Sequence, residues 1–210
     1  MNYLGHVAVA LATGRDDPAF LLGAALPDLA SMAGVRFDRG LLPSAVADGV
    51  ACHLDADEAF HAHAAFRDGS AALRRDLRDL GLATGPTRAI GHAGWELLLD
   101  GTLVGSPTEV AHRSGLRCAD VVLPALLPAH RARWSTLLAE GPPPRLRYDE
   151  PAWVVDRLFT MLSRRPRLSF DEGLKPDVVE VVAAHQEQVR AVAGPVVRDL
   201  VGHARRGTRR

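Results

Sequence analysis

Nine histidines are spread along the 210 residues, and two stretches set them beside carboxylates at helical spacing. His53, Asp57 and His61 fall at steps of four. An α-helix advances about 100° per residue, so the three form one imidazole–carboxylate–imidazole stripe. His92, Glu96 and Asp100 repeat the step. A carboxylate on the apolar side of a helix is costly to bury unless it is paired or ligated. Two such stripes facing each other make a polar pocket in an apolar bundle. Nitrogen and oxygen ligands converging there suit a divalent metal and an activated water. The plainer alternative for the first stripe is a self-satisfied His–Asp–His hydrogen-bond ladder. For the second, Asp100-Gly101 also fits a helix terminus and Glu96 an exposed acid. His63 falls about 160° from the first stripe and joins it only if the helix ends near residue 62. Asp55 points elsewhere, into solvent. The isolated His112, His130 and His203 read as surface or satisfied core residues.

The elements that must hold these residues are helices. Residues 2–13 are mostly Ala, Val and Leu, with His6 in the first turns. Asp16-Asp17-Pro18 starts a second helix, which Pro27 should end or kink, leaving Asp28 at a bend or as a cap. Ser44 to about Phe66 carries the first stripe, with Val46, Val50, Cys52 and Phe60 turned to the core, and Asp68-Gly69-Ser70 breaks it. The charged residues of 70–80 read as a solvated face. Thr87 caps the next helix, about 87–103, with the second stripe. Ser106-Pro107 opens another, and 116–140 is interrupted at Pro124 and Pro128. Gly141-Pro142-Pro143-Pro144 is a stiff connector. A helix runs from Pro151 to about Ser163, and 174–204 makes one long helix or a pair divided at Gly194-Pro195. No period-2 run is long enough for a strand. The expectation is an all-α, single-domain bundle of seven to nine helices over 1–204, with a basic tail at 205–210.

Bulk composition excludes several classes. The chain is 47% hydrophobic, enough for a sizeable core. Lys+Arg and Asp+Glu balance at 25 each, so no global basic field argues for nucleic acid. Two cysteines, Cys52 and Cys118, are too few for a disulfide framework and read as small core residues in a reducing compartment. No run reaches the length of a membrane span, and the N-terminus lacks the basic region of a signal peptide. A soluble cytoplasmic protein is expected. There is no phosphate-binding glycine-rich loop and no serine nucleophile elbow.

Four blocks carry a resemblance. They are Met1-Asn2-Tyr3-Leu4-Gly5-His6; Gly23-Ala24-Ala25-Leu26-Pro27-Asp28; Gly49 through His63; and Met161-Leu162-Ser163-Arg164-Arg165-Pro166-Arg167-Leu168. In this order they resemble blocks of the bacterial acyl carrier protein phosphodiesterase (holo-acyl-carrier-protein hydrolase) family, across nearly the whole chain. The last block is the most specific. The resemblance implies a helical fold related to the HD phosphohydrolases, a divalent metal, typically manganese, and hydrolysis of the phosphodiester that joins 4′-phosphopantetheine to a carrier-protein serine. The chain also departs from the family's pattern. Leu54 follows the motif histidine where the family has Arg, His61 replaces an Asp, and His92, Glu96 and Leu97 stand where the family has two carboxylates and a histidine. Ala193-Gly194-Pro195 replaces an aromatic F-Y-P. Ligand number is kept while ligand types are permuted, which points to a different metal preference or substrate.

The resulting expectation is a metal-dependent phosphodiesterase. Its metal ligands are His6, His53, Asp57, His92 and Glu96. Asp28 or His61 orients the water or acts as general base. Arg164 and Arg165, with Arg167, hold the phosphoryl group or the acidic face of a carrier protein. The partner is acyl carrier protein or a small phosphodiester. The rival readings are a metal hydrolase of another phosphoester, and a non-enzymatic helical binding module with a structural polar pocket.

Overall fold

The computed structural model describes residues 1–140 and 146–207. The fold is all-α: among the described residues there are nine α-helices, three short 3-10 segments and an isolated antiparallel bridge between Phe37 and Leu126. None of these helices is long and apolar enough to cross a membrane. The chain packs as two compact units, each assembled from separated stretches. The first comprises Met1–Ala59, Gly105–Leu146 and Val197–Arg210, the second Phe60–Val104 and Arg147–Val196.

In the first unit, α1 (Tyr3–Ala12) is buried from Tyr3 through Ala10, so it sits inside rather than on the unit. The second helix, α2 (Pro18–Ala33), starts where Asp17 accepts a hydrogen bond from the Ala19 N–H and ends at Gly34, whose φ of 63° closes a left-handed C-cap. Of the two expected outcomes at Pro27, an end or a kink, the end does not occur: α2 continues through the proline to Ala33. The proline lacks an N–H and crowds the Gly23 carbonyl, a local cost of about 3 kcal/mol. Apolar burial of Phe20 through Leu26, and of Leu29 and Ala30 beyond it, outweighs that cost. Next comes α3 (Ser44–Ala62), most of which belongs to this unit. It crosses α2 at a glycine pair. A Cβ on Gly49 would lie 2.1 Å from the Phe20 carbonyl oxygen, and one on Gly23 would lie 2.2 Å from that of Val46. Only glycine permits that backbone-on-backbone approach.

The Ser-Pro start at 106–107 holds: Ser106 Oγ accepts from the Thr108 N–H, and the helix spans Pro107–Leu116. After it, 116–140 divides at its prolines, into a 3-10 segment Ala119–Ala125 and a helix Pro128–Glu140. In that helix, Trp134 is fully buried and donates its indole N–H to the Ala119 carbonyl. The expected Gly141–Pro144 connector lies outside the described residues.

In the second unit, α4 (Ala64–Asp79) packs along α5 (Thr84–Gly101). Three expectations fail here. The first-stripe helix stops at Ala62 instead of reaching Phe66. His63 adopts extended backbone and caps α4, its Nδ1 accepting the Ala65 N–H. Gly69 does not break a helix either. A Cβ there would lie 2.2 Å from Trp95 Nε1, so the glycine makes room for the indole. Likewise α5 begins at Thr84, not Thr87. Ala83 occupies the N-cap, and Thr87 is buried with its hydroxyl on the Leu82 carbonyl. Pro151–Ser163 forms the expected helix, and it lies against α5. The last helix is continuous from Lys175 to Gly207 and passes through Pro195, with Ala193 and Val196 buried on either side. Its regular structure thus covers the first three residues of the expected basic tail, and 208–210 lie outside the described residues. In this unit His185, buried on that last helix, donates from Nε2 to Asp76 Oδ2 of α4 at 2.7 Å.

Candidate metal centres

The first unit brings His6, Asp28 and His53 together, each offering one ligand atom within 4.8 Å of the others. The sequence places them on three different helices, α1, α2 and α3. The glycine crossing of α2 over α3 makes their approach possible. One turn beyond Gly49, the ring of His53 reaches back to α2 and donates Nδ1–H to the Ala24 carbonyl at 2.8 Å. His6 and His53 are both buried, and their rings stack with centroids 3.6 Å apart. Burial lowers the His53 pKa from its ordinary 6.5 to about 4, with the Ala24 hydrogen bond and the Asp57 charge opposing the shift only in part. At neutral pH His53 is therefore an uncharged imidazole. With Nδ1–H committed to the backbone, Nε2 carries the lone pair.

Asp57 lies beside this group. His6 Nε2 is 3.6 Å from Asp57 Oδ1 and 3.8 Å from Asp28 Oδ2, and 3.2 Å from the Met1 carbonyl. The carboxylate distances are too long for direct hydrogen bonds. Ligand atoms sharing one ion at about 2.1 Å stand roughly 3–3.5 Å apart, so this group, whose ligand atoms lie within 4.8 Å of one another, could hold an ion once drawn slightly closer. The donor chemistry fits as well. Two imidazoles and two carboxylates suit manganese, zinc or a similar divalent ion, and the His–carbonyl bond is the usual way a metal-binding ring is oriented from behind. The Nδ1–H of His53 goes to the Ala24 carbonyl of α2 and not to a carboxylate of its own helix.

The second unit contains a further group: His61, His92 and Glu96, again with ligand atoms within 4.8 Å. His61 comes from the last turn of α3 and the other two from α5. Both imidazole Nε2 atoms stand 3.2 Å from the same oxygen, Glu96 Oε1. The two rings stack at 5.1 Å, and the edge of Phe66 meets both at 5.2 Å. Phe66 in turn packs on Phe60 and Trp95. Burial alone would raise the Glu96 carboxyl, but hydrogen bonds from His61 and His92 outweigh it and hold the group far below the usual carboxylate range. The i, i+4 step of the second stripe thus forms between His92 and Glu96. Asp100, the third member of the stripe, is completely buried at the end of α5 and lies outside this group.

Arg164 and Arg165 stand exposed in the turn after Ser163, as does Arg167. Cys52 is no nucleophile, since burial pushes its thiol up to about 11. It is a core residue as expected, whereas Cys118 is only half-buried. Two features escape a sequence reading. His112 is buried, not satisfied: it stacks on Tyr3 at 4.9 Å, and its Nδ1 has no hydrogen-bond partner. A cluster of arginines around the start of α5 has no periodic signature, because its members come from two helices. Comparison with protein-family models, with curated proteins and with solved structures finds no match.

Proposed function

We propose that this chain is a metal-dependent phosphodiester hydrolase of the HD-like helical type. The observation that carries the reading is the buried, neutral His53, oriented by the Ala24 carbonyl and gathered with His6 and Asp28, with Asp57 beside them. When bound there, a divalent ion, manganese by the family resemblance, would supply a Lewis acid for a phosphoryl oxygen and acidify a water molecule. His6 and His53 would contribute nitrogen donors, that of His53 uncharged. Asp28 and Asp57 contribute the negative charge that a divalent cation requires. Asp28, partly open to solvent, would orient the attacking water and take its proton. His61, His92 and Glu96 form a second donor set, richer in nitrogen and of the kind that holds zinc-class ions. The exposed Arg164 and Arg165 present guanidinium forks suited to phosphate oxygens or to the acidic face of a carrier protein.

The four sequence blocks make holo-acyl carrier protein the first substrate to try, with release of 4′-phosphopantetheine. The test uses chelator-stripped protein reloaded with manganese, assayed on holo-acyl carrier protein and on bis-p-nitrophenyl phosphate. Metal-dependent turnover that vanishes in Asp28→Asn, while the metal-free variant keeps the parent's melting temperature, supports the reading. Turnover of the small diester alone moves the substrate to another phosphoester. If neither substrate is hydrolysed and purified protein retains no stoichiometric metal, the reading fails.

A further inference from the structure

In the second unit a cavity of about 250 Å³ is lined by Ala71, Arg74, Arg78, Thr84, Thr87 and Arg88. Three of the six are arginines, and no acidic residue lines the cavity. Arg74 and Arg78 lie one turn apart on α4, and Arg88 lies in the second turn of α5. Among the described residues, the hydrogen bonds of these arginine side chains go to backbone: Arg74 Nε donates to the Ser70 carbonyl and Arg78 Nε to the Arg74 carbonyl. Both bonds use Nε, so the Nη groups are not spent on them. Among the described residues none of the three meets a carboxylate. Arginines cannot discharge at any physiological pH, so three of them around one cavity make a local positive field that favours an anion between them.

Two features of the surrounding backbone point the same way. The N-cap of α5 is Ala83, which makes no side-chain cap bond, and the first turn holds no acid. The Thr84 and Gly85 N–H groups therefore lack the usual internal acceptors, at the end of the helix where the dipole favours negative charge. Gly91 makes the position of Arg74 possible: a Cβ there would lie 2.2 Å from Arg74 Cγ. The glycine lets the arginine stem lie across α5.

The geometry points to a binding site for a small tetrahedral anion, inorganic phosphate or the phosphate of a monoester, gripped by Arg74, Arg78 and Arg88 at the start of α5. Guanidinium forks match phosphate oxygens in pairs, and a cavity of this volume takes a phosphate with a short substituent. The site uses none of the residues placed at either metal centre, so it stands or falls apart from the hydrolase reading.

Isothermal titration of the full-length protein, held in chelator to remove metal-borne phosphate binding, tests it with inorganic phosphate, glycerol 2-phosphate, acetate and poly-glutamate. Expected are one saturable site for phosphate and for the monoester, mutual competition between them, weakening with added sodium chloride, and no acetate binding at the same concentrations. Arg78 and Arg88 are solvent-facing, so Arg78→Gln with Arg88→Gln should leave the melting temperature unchanged and weaken binding at least tenfold. Competition places free and esterified phosphate in the same cavity, and the tighter of the two identifies the natural form. The proposal is overturned if no saturable phosphate binding occurs, if the double variant binds as the parent does, or if only poly-glutamate binds.

Discussion

At the scale of single residues, two buried histidines set the acid response of the protein. Burial holds both His53 and His112 near a pKa of about 4, for His112 with further lowering by the neighbouring Arg113 charge. The unfolded chain takes up these protons near pH 6.5, the folded one only near 4. Stability is therefore complete above about 6.5 and falls as the pH drops toward 4, by about 2 kcal/mol per histidine at pH 5. His53 has its Nδ1–H satisfied, whereas the Nδ1 of His112 has no partner and its ring stacks on Tyr3. His112→Phe keeps the stack and removes the titration. Urea unfolding at pH 7.5 and pH 5.0 should show the variant losing clearly less stability than the parent, and equal losses would contradict the assignment. Glu96 behaves in the opposite sense. Its folded pKa is depressed, so its contribution is present above about 4.5 and is lost as the pH falls toward the lowered value. Glu96→Gln should cost roughly 1–3 kcal/mol at pH 7 by weakening the bonds from two imidazoles. The gap between variant and parent should narrow between pH 5 and pH 3.

At the scale of elements, the first-unit centre depends on how closely α2 and α3 cross. Gly49→Ala would drive a methyl group into the Phe20 carbonyl and the Ala24 amide, at 2.1 and 2.8 Å. These are backbone atoms of a buried helix and cannot swing aside. The expected cost exceeds about 2 kcal/mol. Since Ala24 also holds His53, bound metal should be lost along with stability, which calorimetry and elemental analysis of the same sample would show. Gly105→Ala is the contrasting control. It sits at φ 73° with open space around it, so its strain is local and metal content should survive. The crossing also explains how far each helix was legible. Helical spacing read the His92–Glu96 pair and the helix starts at Pro18, Pro107 and Pro151, because those depend on residues a turn apart in one chain segment. It misread Gly69 and the end of α3, because each is decided by a neighbour in another helix: the Trp95 indole over Gly69, and His63 acting as cap for α4. At Pro27 it allowed an end or a kink, and packing carries α2 on to Ala33. The arginine cavity was hidden for the same reason, since residues 70–80 read singly look like a solvated face.

At the scale of the whole molecule, balanced charge and an all-α core were readable from composition and periodicity, but the membership of the site was not. Spacing alone linked His53, Asp57 and His61, whereas His6 and Asp28 entered only through the resemblance of the first two sequence blocks. The structure gathers His6 and Asp28 with His53, and His61 with His92 and Glu96. A cation that binds the folded chain at the first of these groups and not the unfolded chain must stabilise the fold by linkage. At a hundred times its dissociation constant the gain is about 2.7 kcal/mol. For a chain of this size each kcal/mol raises the melting temperature by roughly 2–4 °C. Chelator-treated protein should therefore melt about 5–10 °C higher once saturated with manganese or zinc. The variant must separate ligation from folding, and His53→Ala alone does not, since it also opens a cavity beside the Ala24 carbonyl. Asp28→Asn is the better choice: it keeps shape and removes one ligand charge from a partly exposed position. If the ion sits on His6, Asp28 and His53, Asp28→Asn melts near the metal-free parent and its response to added metal shrinks severalfold. A full metal-induced rise in Asp28→Asn would show that the stabilising ion is held elsewhere.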